Sequence, residues 1–76
     1  MRKYSFDFSR LKGRIIERHG SLSGFADVLG KPVSHVSRCL RGEIEFNQPR
    51  VMEWCEVLEI PCDEIAYFFY VLKVDR

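Results

Sequence analysis

A chain of 76 residues, 46% hydrophobic and 30% charged, has room for one globular domain (1–76) and is too apolar to stay disordered. Its longest apolar run, IAYFFYVL at 65–72, is far too short to span a bilayer, and the start MRKYSFDFSR has no apolar leader segment, so a soluble cytoplasmic protein is expected. A net charge of only +1 argues against purely electrostatic nucleic-acid binding. That charge is nevertheless split. Up to Gly42 nine Lys/Arg stand against three acids, and from Glu43 onward three stand against eight. A basic half suits phosphates, and an acidic half would be repelled by them.

Taken in chain order, the signals are helical. In SRLKGRIIERHG, Leu11 and Ile15 share a face with Phe8 one turn earlier and Ile16 at its edge. Asp7 or Ser9 is placed to cap this first helix and Gly20 to end it, while Gly13 predicts a close helix contact. Ser21 predicts a cap for a second helix over 22–29, with Phe25, Ala26 and Leu29 inward. Gly30 supplies a positive φ, and Pro32 opens a third helix over 33–41. Val36, Cys39 and Leu40 line one side of that helix; Ser34, His35, Ser37, Arg38 and Arg41 line the other. Asn47 is an N-cap for a fourth helix, with Phe46 and Val51 spaced as a hydrophobic staple and Val51, Trp54, Cys55 and Leu58 as its stripe. Pro61 breaks it, and Asp63 and Glu64 suit the start of a fifth helix. The end, VLKVDR, reads as that helix's last turn or as an extended tail. The fold class is all-α with five helices.

Two helices joined by a short Gly-containing turn form the unit that lays its second helix in a major groove. With Val36 and Cys39 as inner anchors, the outer face of the third helix is free to read. Arg38 can reach guanine O6/N7 or a phosphate, Ser34, His35 and Ser37 can bond base edges or backbone, and Val33 can touch a thymine methyl. Lys31 in the turn joins them, and Arg41 and the Asn47 and Gln48 amides stand where backbone positioning is expected.

At FADVLG and VSHVSRCLRG, followed by a loop and a helix ending in LEIP, the sequence resembles the lambda-repressor/Cro-like helix–turn–helix superfamily. FDFSRLKGRIIERHGS and EVLEIPCDEIAYFFYVLKV extend the likeness to small Cro-like proteins of temperate phages of Gram-positive bacteria, a group that includes modulator-of-repression antirepressors. The resemblance implies a five-helix lambda-repressor-like domain with its helix–turn–helix at helices 2 and 3. It also implies Ser34, Ser37, Arg38 and Arg41 as DNA-contacting positions.

The fifth helix points elsewhere. Ile65, Phe68, Phe69 and Leu72 share a face that can close the core, while Tyr67, Tyr70, Val71 and Val74 form an opposite face that needs a partner, either a second copy or another protein. The expectation is therefore a DNA-binding transcriptional regulator acting on an operator, as a homodimer or a heteromer with a phage repressor. The alternative is an antirepressor that grips a repressor by protein contact. An enzyme is not expected, because His19 and His35 have no carboxylate or nucleophile at catalytic spacing. No cofactor or metal is expected either. His35 and Cys39 lie one turn apart but do not make a zinc ligand set, and Cys39, Cys55 and Cys62 read as buried, reduced thiols.

Overall fold

The computed structural model describes residues 5–73. Five α-helices follow in order: α1 (Ser9–His19), α2 (Leu22–Leu29), α3 (Val33–Leu40), α4 (Gln48–Leu58) and α5 (Ile65–Phe69). A single 3-10 turn, Cys62–Glu64, leads into α5. Two short strands, β1 (Ser5–Phe6) and β2 (Leu72–Lys73), pair antiparallel with Ser5 opposite Lys73 and Phe6 opposite Leu72.

The caps are local chemistry. Ser21 accepts from the Gly24 amide at 3.0 Å and starts α2. Asn47 accepts from the Arg50 amide at 2.9 Å and starts α4, with Pro49 tolerated in its first turn. Gly30, at φ 77°, turns the chain out of α2. Neither Asp7 nor Ser9 caps α1. Phe8 holds the N-cap position, and the Asp7 carboxylate instead accepts from the Ser9 amide (2.9 Å) and hydroxyl (2.5 Å). Those two hydrogen bonds hold the Asp7 carboxyl below its ordinary pKa. Glu59 ends α4 in the left-handed region at φ 55°, uncommon for a side-chain-bearing residue, and Arg14 and Arg18 secure it. Arg14 donates to the Leu58 and Glu59 carbonyls at 3.3 and 3.1 Å, and Arg18 pairs with the Glu59 carboxylate at 2.9 Å.

The core is one cluster. Leu11 and Ile15 of α1, Phe25 and Ala26 of α2, Val36 and Cys39 of α3, and all four stripe residues of α4 are buried, together with Ile60, Phe68 and Phe69. Trp54 is its centre, edge-on to Phe25 (4.9 Å between ring centroids) and to Phe46 (4.8 Å). Phe46 continues the chain of rings to Phe8 and Phe69. Such edge-to-face contacts add to the stabilisation from burial alone.

The C-terminal end departs from the sequence expectation. Helix α5 stops at Phe69 after five residues, and Leu72 leaves the core face to lie 55% exposed in β2. The extended reading of the tail holds for Leu72–Lys73. Its cause is non-local: β1, sixty-odd residues away in sequence, presents backbone groups that satisfy β2, and the Asp7 amide adds a bond to the Val71 carbonyl at 2.7 Å.

Glycine positions separate likewise. Gly13 is exposed and a Cβ there would meet nothing within 4 Å, so it marks no helix contact. Gly24 does: a Cβ would fall 2.6 Å from the His19 carbonyl oxygen where α2 packs on the end of α1. Gly13→Ala is therefore expected to stabilise the fold by roughly 0.5–1 kcal/mol. Gly24→Ala should destabilise it by about 1–3 kcal/mol, because backbone rather than a flexible side chain must yield. Denaturation midpoints of the two variants check this, and shifts of the same sign would refute it.

Candidate binding surfaces

Helices α2 and α3 pack directly on one another and are joined by Gly30, Lys31 and Pro32. Val36 and Cys39 hold the inner side of α3. Lys31, Val33, Ser34 and Arg38 are exposed, whereas His35 and Ser37 are half-buried. Ser34 and Arg38 are one helical turn apart, so their side chains project together.

Two positions at the edge of this face are engaged within the chain. Arg41 is the C-cap residue of α3 and pairs with Glu43 through Nε at 2.8 Å. Both partners are exposed, so the pair is worth little in stability, but it half-neutralises a cation expected to meet phosphate. The Asn47 side chain is occupied as the cap of α4. Arg50, not singled out by sequence, donates to the Glu45 carbonyl and closes the loop between α3 and α4. Arg14 and Arg18 are likewise drawn to the end of α4, leaving the basic half with fewer free cations than its composition suggests.

A second surface forms where β1 pairs with β2 beside α5. Tyr67 and Tyr70, in and just after α5, are 53% and 49% exposed, and so are Phe6 (43%) and Leu72 (55%) on the paired strands. Arg10 stacks over the Tyr67 ring at 4.2 Å from its centroid, and Phe6 meets Tyr70 edge-on at 5.6 Å. Of the other residues expected on this face, Val71 is half-buried and Val74 lies outside the described residues. Phe6 and Leu72 were missed because only the β1–β2 pairing brings them here; the α5 period alone places Leu72 in the core. Beside the patch runs an open groove of about 920 Å3, floored by Phe8, Phe46 and Phe69 and edged by Asp7, Glu43 and Lys73.

The thiols divide. Cys39 and Cys55 are buried, which pushes both above the usual thiol pKa, while Cys62 is exposed, against the expectation that all three are interior. One thiol per chain should react rapidly with a disulfide reagent under native conditions and the other two only on unfolding; rapid labelling of all three would contradict this burial. Among the described residues no group of three His, Cys, Asp or Glu is placed to hold a metal ion. No described helix is long and apolar enough to cross a membrane.

Comparison with known proteins places this geometry. Among solved structures the chain is similar to the solution structure of the modulator of repression (MOR) of the temperate bacteriophage TP901-1 from Lactococcus lactis. The TM-score is 0.77 and the identity 29%, over 87% of this chain and 89% of that one. In fold this is a small, mostly helical protein. It belongs to the family described as "Protein of unknown function (DUF739)", whose model matches residues 4–71. Among proteins of curated function none matches the sequence.

Proposed function

We propose that this chain is a modulator of repression: a non-catalytic regulator that acts by gripping a phage repressor through protein–protein contact. The observation that carries the reading is the likeness to the TP901-1 modulator over nearly the whole of both chains. The exposed aromatic patch of Phe6, Tyr67, Tyr70 and Leu72 supports it, since exposed aromatics beside an arginine are the residue types that anchor interfaces. The internal pairing of Arg41 and the capping role of Asn47 support it as well, because both weaken the alternative grip on DNA phosphates.

A second reading is a DNA-binding regulator whose α2–α3 unit is a helix–turn–helix. It is favoured by Lys31, Val33, Ser34 and Arg38, which are exposed together and unencumbered by one another. Here α3 enters the major groove of an operator, and the aromatic patch serves as a dimer face.

A mobility shift on the DNA flanking the chain's own coding region separates the two. The expected result is that the chain alone retards the DNA little, and that it alters the retardation caused by a phage repressor that binds the same DNA. Specific retardation by the chain alone, with the repressor's unaffected, would establish the DNA reading instead.

A further inference from the structure

Helix α3 contains a pair that neither reading uses. Cys39 Sγ lies 3.7 Å from Nε2 of His35, one helical turn earlier. Cys39 is fully buried, and burial holds its thiol in the protonated form, although the nearby Arg50 charge opposes this. A protonated thiol has one hydrogen to give, and Nε2 at 3.7 Å is within its reach; the pair is joined either by S–H donating to an unprotonated Nε2 or by Nε2–H donating to sulfur, according to the tautomer. Neutral imidazole carries a single proton, so an accepting Nε2 leaves that proton on Nδ1. Among the described residues Nδ1 has no hydrogen-bond partner, and it is not one of the buried unsatisfied atoms, so it faces solvent.

We propose that Cys39 is a positioning residue that fixes the tautomer of His35, so that α3 presents an Nδ1–H donor on its outer face. An unconstrained neutral histidine side chain favours the opposite tautomer, with the proton on Nε2, and without the thiol position 35 would turn an acceptor outward. The consequence concerns complementarity. With His35 as a donor, the outer face of α3 offers Arg38, the His35 N–H and the Ser34 hydroxyl, with Lys31 in the turn before it, a set suited to the acceptor-rich edge of a guanine in duplex DNA. This consequence rests on α3 being a DNA-contacting surface. The tautomer does not.

Long-range 1H–15N correlation spectra of the free protein at neutral pH read the tautomer directly. The expected result is a protonated-type Nδ1 shift and an unprotonated-type Nε2 shift for His35, reversing towards the Nε2–H form in Cys39→Ala and restored, at least in part, by Cys39→Ser. A native spectrum already dominated by Nε2–H overturns the proposal whether or not any variant folds; so does a Cys39→Ala spectrum with folded dispersion and an unchanged tautomer. A titration with the duplex flanking the coding region is the separate arm. Several-fold weaker binding by folded Cys39→Ala than by the native chain supports the recognition role, and equal binding overturns it. Absence of binding by either removes α3 as a DNA surface and leaves the tautomer to the spectra.

Discussion

Trp54→Ala is expected to remove a large part of the chain's stability, about 3–5 kcal/mol. Trp54 is fully buried and holds Phe25 on one side and Phe46 on the other, so its removal separates the α2 side of the core from the rings of Phe8 and Phe69. Truncating a buried tryptophan costs about 3–5 kcal/mol. A domain of this length has roughly 4–11 kcal/mol in total, at about 0.05–0.15 kcal/mol per residue. The loss is therefore a large part of the whole, with little surrounding structure to collapse into the void. Trp54→Phe is expected to be far milder, since it keeps an aromatic ring between Phe25 and Phe46. It also removes an indole N–H that is buried without a partner, which offsets part of the lost packing. Far-UV circular dichroism through a guanidinium titration reads both variants. A cooperative transition for Trp54→Ala within about 1 kcal/mol of the native chain would show that Trp54 is not the centre of the core.

The second large effect concerns association. Tyr67→Ala combined with Tyr70→Ala should weaken partner binding by about 2–4 kcal/mol, the range of interface hot spots, or roughly thirty- to a thousand-fold in affinity. The domain should stay folded, because each ring is half-exposed: Tyr70 meets the exposed Phe6, and Tyr67 lies under Arg10 and touches the core through one edge-on contact with Phe68 at 5.1 Å. An exposed cation–π contact contributes only about 0.5–1 kcal/mol. Sedimentation of the double mutant alone and with the repressor separates the readings. If the patch grips a repressor, the mixed complex is lost. If it is a dimer face, the self-association of the native chain is lost instead. Unchanged sedimentation in both experiments would remove the patch as an interface, and an unfolded double mutant would place the tyrosines in the core.

The candidate surfaces were legible to different degrees. Positions 31–38 need only a helix period and a turn, and Gly30, Pro32, Val36 and Cys39 declare both within ten residues. That the basic half is partly neutralised was not legible. The contacts of Arg14 and Arg18 with residues 58–59 span more than forty positions of sequence, and nothing in a local window shows them. The Arg41–Glu43 pair is close in sequence, but it falls at a helix end, where helical spacing no longer says which side chains meet.

What the sequence by itself determined is the part of the molecule governed by neighbouring residues: the intervals of the first four helices, the Ser21 and Asn47 caps, the Gly30 turn and the buried stripe of α4 from Val51 to Leu58. These follow from side-chain periodicity and from backbone groups satisfied within four residues. Tertiary structure decided where a local preference met a distant competitor. The period of IAYFFYVL favours helix through Leu72, yet the chain leaves the helix after Phe69 because β1 offers a second set of hydrogen bonds. Gly24, not Gly13, is the glycine that packing requires, because the His19 carbonyl lies against α2 and nothing lies against Gly13. Phe6 and Leu72 came to lie with Tyr70 for the same reason: pairing β1 with β2 is a long-range event, and its partners are chosen by the folded core between them.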